Sequence, residues 1–325
     1  MPVHPAIASR FHLLEGITSF PEAFGDPALR RRLEEFESHD VVTPPPAVAT
    51  RTAEVPGPHG PVPVRVYEPD EAGTARPCLV WMHGGAFRMG DLDMHEADWT
   101  ARQVAARAGA VVVSVDYRLA VGGVTYPVPH DDVVAAVRWV RDGADALGVD
   151  PSRISVGGAS AGGNLAAGAA LRLRDDDGWL PANLVLVYAV AHAVLPPARD
   201  ELDALMAEVP ALLRFPPEER RGTTENYLGG PVGRADGYAM PASADLAGLC
   251  PVLLLNAEYD DLRTSGEAFA AQLARAGVDV RQVLARGLLH GFLNLPADLE
   301  PVDRALDLLA AVVAGQPERV VLPVG

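Results

Sequence analysis

Gly158-Ala159-Ser160-Ala161-Gly162 reads G-x-S-x-G, a spacing that presents a serine hydroxyl on a tight turn. Nine serines at this chain's glycine content give ~0.1 such pentapeptides by chance, so the flanks must decide. An apolar strand pattern, Arg153-Ile154-Ser155-Val156, runs in, and an alanine-rich helical pattern from Asn164 runs out. Together they put Ser160 on a strand-to-helix turn that only small neighbours can clear. The plainer alternative is a glycine-rich turn with an N-capping serine. A serine that is to attack a carbonyl needs a base, and the base needs an acid to orient it. Of the nine histidines, only His192 and His290 follow Ser160. His290, in Gly287-Leu288-Leu289-His290-Gly291-Phe292, also follows the acids of Leu253-Leu254-Leu255-Asn256-Ala257-Glu258-Tyr259-Asp260-Asp261, as the order nucleophile, acid, base requires. Glu258, Asp260 and Asp261 all end one strand pattern, and spacing leaves the three open.

Acyl transfer builds negative charge on an oxygen, and pre-placed backbone N–H groups stabilise it by a few kcal/mol or more. His83-Gly84-Gly85-Ala86-Phe87 follows the apolar run Cys78–Met82. Its bare glycines let an oxygen approach Gly84 and Gly85, and Ala161 adds the amide next to the nucleophile. A simple glycine turn ending a strand is the bland alternative for this stretch alone.

The elements that must position these groups alternate. Strand patterns are expected at Val62–Pro69, Pro77–His83, Ala110–Tyr117, Arg153–Gly158, Ala182–Val190, Pro251–Asp260 and Val278–Ala285. Helical patterns are expected at Asp93–Gly109, Pro129–Gly148, Ser160–Asp176, Ser265–Gly277 and about 301–314. Apolar strands alternating with helices mean a mostly parallel sheet covered on both faces. Residues 1–45 read as amphipathic helices, with Phe11, Leu14, Ile17 and Phe20 on one face and Leu29, Leu33 and Phe36 on another. Thr43–Ala47 then breaks the chain. The stretch at about 192–240 interrupts the alternation and reads as an insertion over the carboxyl edge of the sheet, where ligands bind in such folds. It carries Leu202, Leu205, Met206, Leu212, Leu213 and Phe215, and the N-terminal segment carries Phe11, Phe20 and Phe24. With no sheet of their own, these residues are expected to pack on each other and on the rim of an apolar pocket.

The chain has 325 residues, 49% of them hydrophobic, and a formal net charge of -16; all 27 basic residues are arginine. The acidity argues against nucleic acid and anionic membranes as partners, and the lack of lysine excludes Schiff-base chemistry. Cys78 and Cys250 border strand patterns without metal-ligand spacing, which suits reduced thiols in a cytoplasmic protein. No secretory leader and no membrane span is expected.

Taken together these motifs resemble the hormone-sensitive-lipase-like family of α/β-hydrolases. HGGAF at His83–Phe87 is similar to that family's HGGGF, and DYRLA at Asp116–Ala120 matches a second segment. GASAGGNLA at Gly158–Ala166 is similar to GDSAGGNLA. AEYDDLR at Ala257–Arg263 is similar to AEYDPLR, and HGF at His290–Phe292 matches the histidine motif. The resemblance covers about residues 50–315. It implies an α/β-hydrolase fold, a mostly parallel central sheet flanked by helices with a helical cap. It divides the chain into an N-terminal cap segment at 1–45 and a hydrolase domain at 46–325 carrying the 192–240 insertion. It puts the nucleophile at Ser160, the acid at Asp260 and the base at His290, with oxyanion donors at Gly84, Gly85 and Ala161. His83 would support its loop, and Asp261 stands at the family's proline position. Phe87, Tyr188, Met206, Phe215 and Phe292 are the expected substrate-binding residues. Ala86, Ala159, Leu119–Asp132 and Val187–Pro196 depart from the family pattern without removing a reacting group. A serine carboxylester hydrolase acting on small-molecule esters, without metal or organic cofactor and with homodimerisation allowed for, is the expected function. A lyase, dehydratase or acyl-transfer enzyme, or a non-catalytic small-molecule receptor, is the alternative on the same fold.

Overall fold

A computed structural model describes residues 2–38, 43–69, 73 and 75–316. Eight strands form one sheet: β1 (Ala49–Val55), β2 (Val62–Glu68), β3 (Arg76–Met82), β4 (Val111–Val115), β5 (Val149–Ala159), β6 (Leu184–Val187), β7 (Val252–Tyr259) and β8 (Val280–Leu289), in the spatial order β1-β2-β4-β3-β5-β6-β7-β8. β2 runs antiparallel to both β1 and β4, and every other neighbouring pair is parallel. β4 and β7 are buried along their whole length and β3 is buried from Pro77 onward. They show the continuous apolar run of strands covered on both faces, unlike a half-exposed alternation. β1 is exposed at five of its seven residues; it lacks a hydrophobic pattern because it lies at the sheet edge, and for that reason it was not expected.

The ten helices are α1 (Pro5–Ala8), α2 (Phe20–Gly25), α3 (Pro27–Glu37), α4 (His95–Ala108), α5 (Val128–Asp142), α6 (Ala161–Asp177), α7 (Asp200–Met206), α8 (Pro217–Leu228), α9 (Arg263–Arg275) and α10 (Glu300–Val313). Alternate strand residues separate the two faces. Val80 and Met82 join Val137 of α5, Leu165 of α6 and Phe269 of α9 in one core. Leu79 and Trp81 join Val104 of α4 and Leu309 of α10 in the other. The chain leaves β3 for β4 on one side and returns to β5 on the other. The topological switch point, where open α/β sheets bind ligands, therefore lies between the carboxyl ends of β3 and β5.

Several expectations are adjusted. The helix expected to run to Gly148 ends at Asp142, and a separate turn at Asp145–Leu147 closes on left-handed Gly148. β8 continues to Leu289, four residues past its expected end. α8, within the insertion, was not among the expected helices; Pro216 and Pro217 occupy its N-cap and first helical positions, where a missing N–H costs nothing. The N-terminal residues do not form one amphipathic face. Leu14, Ile17, Ala23 and Leu33 pack with Leu212 of the insertion, whereas Phe11 packs on the α4/α10 core. Phe24 is 52% exposed and packs into neither.

His130, at the start of α5, is fully buried, and neither ring nitrogen has a hydrogen-bond partner. It faces Tyr126 and Tyr238, with Asp131 4.0 Å away. Burial pushes its pKa down to about 4, opposed by the Gly168 backbone, Asp131 and Asp236, with Arg172 acting in the same direction as burial. A histidine whose folded pKa lies below its unfolded value disfavours the folded state as pH falls. The full stability is present above about pH 6.5, and roughly 2–3 kcal/mol is lost by about pH 4. Denaturant titrations at neutral and acidic pH are expected to show a shallower acid loss in His130→Leu than in the parent. Equal acid slopes would mean that His130 is not the group responsible.

Candidate active site

The four strand ends around the switch point carry the groups singled out in the sequence. At the end of β5, Ser160 adopts φ 51° and ψ -115°, a conformation that side chains other than glycine rarely tolerate. The turn exists because its neighbours are bare. A Cβ on Gly158 would lie 2.4 Å from the Gly162 carbonyl carbon, and one on Gly162 would lie 2.2 Å from the Met82 carbonyl oxygen. Glycine at both positions therefore lets the first turn of α6 touch the end of β3. The Ser160 amide is anchored to the Val187 carbonyl at 2.9 Å.

His290 follows β8. Its Nε2 lies 3.0 Å from Ser160 Oγ and its Nδ1 lies 2.8 Å from Asp260 Oδ2. Asp260 follows β7, is 1% exposed, and accepts a second hydrogen bond from the Leu262 amide at 2.8 Å. A carboxylate on Nδ1 fixes the tautomer with Nδ1–H, leaving Nε2 as the acceptor for the serine proton. Burial presses the imidazole pKa down, but the charge of Asp260 and its hydrogen bond, helped by Glu96 and Asp261, outweigh burial and hold it above the ordinary value. The three candidate acids separate by their partners. Asp260 meets the imidazole, Glu258 accepts from the Gly287 amide at 2.6 Å, and Asp261 accepts from Arg214 and the Phe215 amide.

After β3 the chain turns through Gly85 (φ 109°), Ala86 (φ 53°) and Phe87 (φ 63°), three successive left-handed residues. A Cβ on Gly85 would lie 2.0 Å from the Met89 carbonyl oxygen, so this position demands glycine. His83 is fully buried beneath the loop. Its Nδ1 lies 2.7 Å from the Gly84 carbonyl and its ring stacks on Tyr117 at 4.5 Å. The N–H of Gly84, one of the expected oxyanion donors, is bonded to Glu96 Oε1. No protein acceptor among the described residues takes the amides of Gly85, Ala86 or Ala161. Ala86, which departs from the related motif, thus offers an amide beside that of Gly85.

Glu96, in the first turn of α4, is a buried residue of the candidate site that sequence reasoning missed. It is 2% exposed. Oε1 holds the Gly84 amide, Oε2 accepts the Tyr188 hydroxyl at 2.5 Å, and its own amide donates to Asn294 Oδ1 at 3.1 Å. Asn294 belongs to the segment that follows His290, so Glu96 ties the ends of β3 and β6 through its carboxylate and the segment after β8 through its backbone N–H.

Of the expected substrate-binding residues, four are filled positions in the packing. Phe87 is 2% exposed and stacks on Tyr227 at 3.9 Å. Met206 is 1% exposed within the α4/α10 core. Tyr188 is bonded to Glu96, and burial together with that negative charge raises its phenol well above the ordinary pKa. Its ring lies 4.8 Å from His290, and Phe292 packs edge-on behind it at 4.9 Å. Phe215 is different. It is only half-buried, and its ring stands edge-on to the His290 imidazole at 4.8 Å.

This arrangement can hold a carbonyl carbon near Ser160 Oγ, accept the hydroxyl proton on Nε2 and offer amides to the oxygen. Comparison with known proteins agrees with that chemistry. The family described as having the alpha/beta hydrolase fold matches residues 79–294. The carboxylesterase NlhH of Mycobacterium tuberculosis is 36% identical over 307 residues, covering 90% of this chain and 91% of that protein. An ethyl acetate hydrolase of Pseudomonas putida is 33% identical over 251 residues, covering 75% and 76%. Among solved structures, a hyperthermophilic esterase from the archaeon Pyrobaculum calidifontis superposes with a TM-score of 0.80 at 31% identity, covering 99% of this chain and 100% of that one.

Proposed function

Because this chain belongs to the α/β-hydrolase family, among the hormone-sensitive-lipase-like carboxylesterases, we propose that it cleaves esters of small acyl groups through an acyl-enzyme on Ser160. The observation that carries the proposal is the unbroken hydrogen-bond chain Ser160–His290–Asp260 across the ends of β5, β8 and β7.

Ser160 Oγ attacks the ester carbonyl as its proton passes to His290 Nε2. The imidazolium is stabilised by Asp260, which stays ionised. The tetrahedral oxyanion is received by the free amides of Gly85, Ala86 and Ala161. Collapse expels the alcohol, which takes the proton from His290 Nε2. Water then gives its proton to the same nitrogen and attacks the acyl carbonyl, and collapse of this adduct releases the acid as Ser160 Oγ takes the proton back from Nε2. Glu96 acts at one remove, holding the Gly84 peptide so that the next two amides face the reacting oxygen. Phe215 and Tyr188 put two aromatic rings beside the imidazole, an apolar setting that supports a compact acyl group, as does a relative named for ethyl acetate. The two buried thiols, Cys250 pushed up to about 12 by burial, suit a reducing compartment such as the cytoplasm.

A common acyl-enzyme has a kinetic signature. With p-nitrophenyl butyrate and phenyl butyrate in water containing methanol, the ratio of methyl butyrate to butyric acid is expected to be identical, because both esters leave the same butyryl-Ser160 to be partitioned. A ratio that depends on the leaving group would rule out the shared intermediate.

A further inference from the structure

Asp261 stands next to Asp260 yet points to a different partner. Its two oxygens accept both Nε and Nη2 of Arg214 at 3.0 Å, a forked carboxylate–guanidinium pair. Oδ2 also accepts the backbone N–H of Phe215 at 2.7 Å. Arg214 Nη1 continues to the Met206 carbonyl at 2.6 Å, and Arg220 Nε holds the Phe215 carbonyl at 2.8 Å. Phe215 lies between the short turn at Ala211–Leu213 and α8, so no helix or strand fixes it. Both of its backbone polar groups are nevertheless held, and its ring stands edge-on to the imidazole of His290.

The pair is partly exposed, with side-chain accessibilities of 32% for Arg214 and 17% for Asp261. Such a pair adds little to global stability. Its geometry is specific all the same: a rigid fork, an adjacent backbone bond, and a half-buried aromatic ring placed at the reacting group.

We propose that Asp261 is a positioning residue that latches residues 206–215 to the end of β7, sets Phe215 as a wall of the acyl site, and thereby restricts the enzyme to esters of compact acyl groups. The inference rests on the acyl-enzyme reading above and names the device that limits its substrates. Releasing the latch lets the Phe215 ring swing off the imidazole. Bulkier acyl chains then gain entry, and short ones lose the surface that orients them.

The test compares p-nitrophenyl butyrate with p-nitrophenyl decanoate in the parent, Asp261→Asn, Arg214→Gln, the double variant and Phe215→Ala. A small methylphosphonate ester reports on Ser160 itself. Asp261→Asn is expected to raise the decanoate-to-butyrate ratio of kcat/KM by about tenfold, the scale on which a hydrophobic pocket discriminates. This change is expected mainly through a higher KM for butyrate, with phosphonylation of Ser160 little changed. Arg214→Gln and the double variant are expected to match it without adding to it, as partners in one interaction do, and Phe215→Ala to reproduce the shift. An unchanged ratio in folded Asp261→Asn overturns the latch, whether or not Phe215→Ala shifts it. Loss of phosphonylation in Asp261→Asn also overturns it, by placing Asp261 in the reaction itself. A parent protein that is not phosphonylated at Ser160 would instead defeat the acyl-enzyme reading, a result distinguishable from either.

Discussion

Replacing Ser160 by alanine is expected to lower kcat for p-nitrophenyl butyrate by roughly 10⁵- to 10⁶-fold, the scale seen when a nucleophile of this kind is removed. His290→Ala is expected to fall in the same range, and the double variant no lower than either. The two act in one step: without the imidazole the hydroxyl keeps its proton, and without the hydroxyl the imidazole has nothing to activate. What survives is binding and oxyanion stabilisation by Gly85, Ala86 and Ala161, which neither substitution touches. The fold is expected to survive Ser160→Ala, because the substitution removes only a hydroxyl whose hydrogen-bond partner is His290. His290→Ala leaves the Asp260 carboxylate with the Leu262 amide, so some loss of thermal stability is expected there. Circular dichroism of each variant separates the chemical loss from unfolding. Turnover in folded Ser160→Ala close to that of the parent would end the assignment of the nucleophile.

Asp260→Asn is expected to cost about 10⁴-fold in kcat, whereas Asp261→Asn and Glu258→Gln keep kcat for short esters within about tenfold. An asparagine amide presents an N–H to Nδ1, favours the tautomer with Nε2–H, and so takes away the acceptor that the serine needs. Glutamine at 258 still offers an oxygen to the Gly287 amide. The pH profile carries a second signature. The base works as neutral imidazole, so kcat/KM of the parent rises with pH through a midpoint above the ordinary histidine value of 6.5. Burial alone would lower that midpoint, and the charge and hydrogen bond of Asp260 are what raise it. In Asp260→Asn the residual activity is therefore expected to rise through a lower midpoint than in the parent. Should Asp261→Asn be the crippling change, the acid would have been placed one residue too early.

The distance between sequence and site differs from residue to residue. Ser160 and His290 are legible because turn chemistry and chain order constrain them. The strained turn needs Gly158 and Gly162, and a base that must follow the acid leaves few histidines. The acid is not legible by spacing. Glu258, Asp260 and Asp261 lie within four residues at one strand end, and only their partners tell them apart. Glu96 left no signal, since an acidic residue in the first turn of a helix, beside Asp98, reads as a charge facing the helix N-terminus. Its burial under Gly84 and Tyr188 depends on β3 and β6 being close, a tertiary fact. Among the aromatic residues, Phe87, Tyr188 and Phe292 are buried, which type alone does not reveal, and the rings beside the imidazole are those of buried Tyr188 and half-buried Phe215. The central strands were readable from their apolar runs, whereas β1 was hidden by exposure and α8 by two prolines that suit a helix start.

Mass spectrometry of the protein after reaction with a p-nitrophenyl methylphosphonate ester tests the role of Ser160 most directly. One phosphonyl group per chain is expected, on the peptide containing Ser160, with release of one p-nitrophenolate and parallel loss of ester turnover. No label is expected in Ser160→Ala, and labelling slowed by orders of magnitude in His290→Ala. A lyase or a small-molecule receptor on the same fold would leave Ser160 unmodified. Undiminished ester turnover with Ser160 unlabelled, or a stoichiometric label on any other residue, would contradict the role given to it.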